Sequence, residues 1–267
     1  MKQKQLVIIG GIVVALLGVG GFAAYKQLNK PAAVVATPAP QKKKITEPVN
    51  IIPVAERPVL HMVPGADGRR VTVVVDAVKK DAALMDFELE YNTENLIQGG
   101  AGQIDLAKLP AQKEFLLGSC SAGGACTYHK DVTGGTLLAR FQGPENYAVK
   151  NDWRFTENKK KETTFSSKDA KFTLTSDELK QVSYAVVYNS PGFYQGISGT
   201  PASDIYAVSL SGTVSKPVQV SVRAAEEGSL KLLGWDGKVW QDLKAEVDGK
   251  MVKATAPLMQ LYLVTKN

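Results

Sequence analysis

Met85-Asp-Phe-Glu-Leu-Glu-Tyr91 alternates apolar and acidic residues without a break. A period of two puts Met85, Phe87, Leu89 and Tyr91 on one face of a strand and Asp86, Glu88 and Glu90 on the other. One face is therefore buried and the other wetted. Ahead of this stretch, Val71-Thr-Val-Val-Val75 is β-branched throughout, and Gly65-Ala-Asp-Gly68 supplies a turn. Strand signals continue over 114–118, 126–129, 136–141 and 147–155. Only 93–97 and 104–109 have the composition of helical turns. Short strands between turn signals, with almost no helix, predict an all-β sandwich.

The pattern resumes after Glu157-Asn-Lys-Lys-Lys-Glu162, with strands expected over 171–175, 182–188, 204–210, 218–223, 229–235, 238–243, 251–256 and 261–265. That charged stretch reads as a domain boundary. It gives two β-sandwiches in tandem, over 51–158 and 163–267. Asp236-Gly237 and Asp248-Gly249 suit type I′ hairpins, which need φ > 0 at both central residues.

Two family resemblances accompany the patterning. Residues 71–78, the run from Met85 through Tyr91-Asn-Thr-Glu-Asn95-Leu-Ile, and Gly135-Thr-Leu-Leu-Ala-Arg-Phe141 together resemble cohesin-like domains. That resemblance implies a jelly-roll-like sandwich, although Asn92 stands where an acid is commoner. In the second half, Ile205-Tyr-Ala-Val-Ser-Leu-Ser-Gly212, Lys216-Pro-Val218, Leu230-Lys-Leu-Leu-Gly-Trp235 with Trp240, and Val252-x-Ala-x-Ala ahead of Tyr262 are similar to bacterial surface modules of the ankyrin-type ZU class. Some members of that class cleave themselves at a His-Phe-Ser segment. The corresponding stretch here is Ala256-Pro-Leu-Met-Gln260, so self-cleavage is not expected.

The N-terminus sets the location. Residues 6–25 hold no charge and are bracketed by Lys2, Lys4 and Lys26. Twenty helical residues at about 1.5 Å each match a hydrocarbon core of about 30 Å. The apolar run is longer than a secretory signal core, Phe22 is awkward beside a cleavage site, and an uncleaved signal anchor is preferred to a removed signal peptide. Lysines lie on both sides, so charge alone does not orient it. The short tail, 1–5, carries Lys2, Lys4 and the amine, and a long C-terminal body crosses largely regardless of charge. The expected arrangement is a single-pass protein of the cell membrane with a cytoplasmic tail and extracytoplasmic domains. Prolines 31, 38, 40 and 48, with Pro53 just beyond, make 26–50 an extended spacer.

The net charge of +6 belongs to this anchor region. Residues 1–50 carry seven lysines and one acid, leaving 25 basic and 25 acidic groups in 51–267. A charge-balanced body is a poor footprint for nucleic acid, and none is expected as a partner. The expected partners are the bilayer, through 6–25, and a protein or glycan at the cell surface.

Chemistry is sparse. Cys120 and Cys126, the only cysteines, flank a Gly-rich segment ahead of His129. Export favours a disulfide between them. A metal site with His129 has the wrong spacing and lacks a fourth ligand, and free thiols are the third reading. His61 reads as a lone surface or edge histidine. No nucleophile elbow or phosphate loop occurs, and the carboxylates look like solvated faces, so no catalytic residue, metal or cofactor is expected. The best binding candidate is Tyr188-Asn-Ser-Pro-Gly-Phe-Tyr-Gln-Gly196, in which Tyr188, Phe193 and Tyr194, with Trp153, offer rings to a sugar or a partner. The alternative is that these rings close the end of a core. The sequence thus predicts a non-catalytic adhesion or envelope-assembly protein, with surface glycan binding through exposed aromatics as the alternative and a hydrolase or accessory subunit as the least favoured.

Overall fold

The computed structural model describes residues 48–267. The expected tail and anchor at 1–25, and nearly all of the 26–50 spacer, lie outside the described residues. In chain order the strands are β1 (Val59–Pro64), β2 (Arg70–Ala77), β3 (Leu84–Asn92), β4 (Ile97–Asp105), β5 (Ala111–Leu116), β6 (Gly118–Cys120), β7 (Cys126–Tyr128), β8 (Gly134–Gln142) and β9 (Tyr147–Glu157). They continue with β10 (Thr164–Ser166), β11 (Phe172–Thr175), β12 (Tyr184–Ser190), β13 (Thr200–Pro201), β14 (Ile205–Leu210), β15 (Val218–Arg223), β16 (Leu230–Trp235), β17 (Trp240–Asp242), β18 (Glu246–Asp248), β19 (Met251–Ala256) and β20 (Leu261–Lys266). All pairings are antiparallel.

The strands make three layers. A long sheet runs β17-β16-β20-β14-β12-β9-β8-β3-β4, with β13 added on β20. A small sheet, β1-β2-β5, packs on one face, and β10-β11-β15-β19-β18 packs on the other. The first core joins Leu60, Val73 and Val75 of the small sheet to Phe87, Leu89, Phe141 and Trp153 of the long one. The second joins Phe172, Leu174, Val220 and Val252 to Val187, Tyr206, Leu232 and Tyr262.

Three strands serve both cores. On β12, Val186 and Tyr188 face the first core while Ala185 and Val187 face the second. On β14, Ala207 opposes Tyr206 and Val208, and on β20, Leu261 and Leu263 oppose Tyr262 and Val264. A strand covered on both sides needs an unbroken apolar run. Leu261-Tyr-Leu-Val264 and Ala185-Val-Val-Tyr188 are such runs.

The boundary expected at 158–163 falls inside this arrangement. β9 pairs with β12 from Glu157↔Tyr184 to Trp153↔Tyr188, so one sheet links the two halves. The charged stretch is a tight turn closed on Asn158. Its amide donates to Glu162 O and Leu179 O, and its Oδ1 accepts from the Glu162 N–H. The lysines there are the solvated rim of a turn.

Local expectations differ in two further places. The 3-10 turns are Val54–Glu56 and Asp177–Gln181, not 93–97 or 104–109, and Ile104 belongs to β4. Among the described residues no helix is long and apolar enough to cross a membrane. Neither Asp-Gly hairpin is type I′. Trp235 pairs with Trp240, leaving a four-residue loop in which Asp236 Oδ1 accepts from the Lys238 and Val239 N–H groups and Gly237 takes φ 100°. In the other, Asp248 pairs with Met251, so Gly249, with φ 56°, and Lys250 form the loop. In both hairpins the aspartate keeps negative φ, and only the glycine enters the left-handed region.

Candidate functional site

Three of the four expected aromatic binding residues are core. Trp153 and Tyr188 are 0% and 1% exposed, and Phe193 is 6% exposed. Trp153 lies on β9 opposite Gly135, and its Nε1–H donates to Glu90 O at 3.2 Å. Burial drives the Tyr188 hydroxyl far above its ordinary range. Phe193 packs under Lys79, whose ammonium sits 4.6 Å from the ring centre and donates to Phe193 O. These three rings close the end of the first core and present no stacking surface.

Tyr194 alone stays half exposed. Its ring stacks on Trp235 at 4.3 Å, Trp240 leans against Trp235, and Trp240 Nε1–H donates to Tyr194 O. A small pocket of about 240 Å³ lies beside it, lined by His61, Asp76, Tyr194, Ser209 and Gln260. Burial and the Asp76 carboxylate push the Tyr194 hydroxyl up to about 12. His61 is not solitary: its Nδ1 lies 2.5 Å from Asp76 Oδ2, tying β1 to β2.

Cys120 and Cys126 are joined by a disulfide across the β6–β7 ribbon, where they form a register pair. His129 turns away from them. Its Nδ1 is 2.8 Å from the Tyr91 hydroxyl, so it completes no cysteine–histidine cluster. Among the described residues no three His, Cys, Asp or Glu side chains gather as metal ligands.

A second, larger concave feature lies elsewhere. β9 and β12 part company after Trp153↔Tyr188. Residues 147–152 stay paired with β8, and their other edge is taken by Asn50. The Asn50 N–H donates to Ala148 O, its amide donates to Lys150 O, and its Oδ1 accepts from the Lys150 N–H. Asn50 itself has φ 58°, a left-handed conformation that asparagine tolerates. The strands splay at this point, and the end of β15 with the β18–β19 loop stands over the gap. A cleft of about 1090 Å³ with a mixed polar and apolar lining results.

Its charge is unbalanced. Arg57, Lys150, Lys171, Arg223 and Lys250 face Asp152, Asp204 and Glu226, five cations against three anions. Each carboxylate is already engaged: Asp152 by Lys168 at 2.8 Å, Asp204 by Lys171 at 3.3 Å, and Glu226 by Lys266 at 3.1 Å. Arg57 donates to the carbonyls of Asn50 and Ile52, and Lys250 to that of Ala225. Burial pulls the Arg57 pKa down from its ordinary value. Among the described residues Arg57, Lys150, Arg223 and Lys250 have no carboxylate within ion-pair distance. Asn151 and Asn189 also reach the cleft, each with Oδ1 enclosed and unpaired. Enclosed acceptors are normally satisfied, and turning either amide toward a polar ligand supplies the missing bond.

No signal along the chain points to this cleft. Four of its cations, Arg57, Lys150, Arg223 and Lys250, lie far apart in the chain, and none belongs to a run of basic residues. No family model, curated protein or solved structure matches the chain.

Proposed function

We propose that this chain is a membrane-tethered, extracytoplasmic binding protein without catalytic activity, and that the cleft between β9 and β12 holds an anionic, hydroxyl-rich ligand of the acidic-glycan class. The observation that carries the reading is the set of four cleft cations with no carboxylate partner. Partly shielded cations bind carboxylates or phosphates through charge-assisted hydrogen bonds, and the flanking asparagines suit hydroxyl groups. The tether rests on the uncharged run 6–25 with its lysine flanks. The engaged state of Asp152, Asp204 and Glu226 supports a non-catalytic role, since a hydrolytic pair needs two carboxyls free to exchange protons.

The test is binding of the full chain, held in nanodiscs, to uronic-acid oligosaccharides and to their carboxyl-reduced counterparts. The acidic set binds, salt weakens it, and Lys150→Glu with Arg223→Glu weakens it at least tenfold. Equal binding of both sets, or insensitivity to the double substitution, overturns the cleft reading. Protease accessibility on intact cells tests the sidedness separately. Covalent capture of Ser209 by a fluorophosphonate would overturn the non-catalytic reading, because it would make the His61–Asp76 pair part of an activated hydroxyl.

A further inference from the structure

β4 is the open edge of the long sheet. It is hydrogen-bonded only to β3, over nine consecutive register pairs from Leu84↔Asp105 to Asn92↔Ile97. Alternate residues of an edge strand aim their N–H and C=O groups outward, which makes a template for another strand. Four of the five other edges of these sheets are guarded: β17, β18 and β10 are three residues long, and β5 carries Lys113 and Glu114 at its centre. The fifth, β1, ends in Pro64, and its Leu60 N–H donates to Ser190 Oγ. β4 reads Ile-Gln-Gly-Gly-Ala-Gly-Gln-Ile-Asp, without proline, lysine or bulge, and without charge before its last residue. Ile97 is 74% exposed, and Leu96 just ahead of it is 64% exposed.

We propose that β4 pairs antiparallel with β4 of a second copy of this chain, about a two-fold axis through Ala101. The choice of a second copy follows from the register. Ala101 faces Ala101 of its mate, Gly100 faces Gly102, Gly99 faces Gln103, Ile97 faces Asp105, and Leu96 comes beside Leu106. No like charges oppose one another, and like charges directly opposite are what disfavour a strand pair. A hollow of about 420 Å³ lies over Gly99 and Gly100 between Glu88 and Glu90. Gln103 of the mate projects on that face, opposite Gly99. The acids of β3 do not repel across the seam: Glu88 is paired with Arg140, Glu90 accepts from Thr136, and Asp86 accepts from Gln103 and Gln142. The inference is independent of the cleft and of the tether.

The test uses single cysteines in the full chain in its native membrane. Ala101 lies on the axis, and directly opposed residues of an antiparallel pair have Cα atoms about 4.5–5.5 Å apart, within disulfide range. Under mild oxidation Ala101→Cys gives a covalent dimer and Ile97→Cys, eight residues from its own symmetry mate, does not. Ala101→Lys places two ammonium groups on the axis; it leaves the circular dichroism spectrum unchanged and halves the mass of the detergent-solubilised particle. Equal cross-linking at 97 and 101, a monomeric parent protein, or a dimer that survives Ala101→Lys overturns the proposal. The comparison between positions separates strand pairing from association through the N-terminal segment.

Discussion

Trp153 spans the join between the two halves of the long sheet, buried against Gly135 and anchored by its indole N–H to Glu90 O. Trp153→Ala removes the largest side chain of the first core. We expect a loss of about 3–5 kcal/mol, read as a lower denaturant midpoint. Asp169 supplies a pH dependence. Burial raises its pKa, but hydrogen bonds from the Ser167 hydroxyl, the Lys171 N–H and the Tyr206 hydroxyl, with the Lys171 charge, outweigh it and hold the carboxyl below its ordinary range. Tyr206 stays protonated as a donor because burial and the Asp169 and Asp204 charges push it up. A depressed carboxyl contributes stability that is complete above its unfolded pKa, about 4, and is lost as pH falls through the folded value. Thermal stability should therefore drop below about pH 4, and Asp169→Asn should flatten that limb while lowering stability at neutral pH. The sequence was least legible at this scale. Tyr188, Phe193 and Trp153 carry the residue types of a binding platform, and only burial separates a platform from the lid of a core.

Elements were more legible where one face is wet. The alternation of Met85 to Tyr91 is the buried–exposed pattern of β3 itself. β12 and β20 were found as strands, but their unbroken apolar runs also mark coverage on both faces. A period of two says which face is buried; an apolar run gives no face, so the third layer was hidden. Both Asp-Gly hairpins exist but neither has the expected loop: Asp236 closes a four-residue turn with its carboxylate and needs no left-handed backbone, while Asp248 pairs with Met251 and leaves Gly249-Lys250 as the loop. The β6–β7 ribbon gives a prediction at this scale. Its disulfide closes a loop of six-residue separation, worth about 2 kcal/mol by chain entropy. The ribbon is exposed and lies outside both cores. Reduction should raise amide exchange over 118–128 and leave exchange in β12 and β20 unchanged.

At the scale of the whole molecule, the shared long sheet governs behaviour. Val186, Tyr188, Ala207, Leu261 and Leu263 complete the first core although they follow residue 163. Fragments 48–158 and 163–267 expressed alone should each lack dispersed amide spectra, and the intact body should melt in one calorimetric transition. Two folded fragments would show that each half closes its own core. The all-β class was legible because strand periodicity is local. The cleft was not, because its four cations without a carboxylate partner are gathered by topology from positions nearly two hundred residues apart.

β20 lies in the interior of the long sheet, between β16 and β14, and feeds both cores. Neither core can close until residues 261–266 are available. During synthesis most of the body therefore emerges before either core has all of its strands. Pairing of such distant segments is slow, so the arrival of this one strand sets when both cores can close.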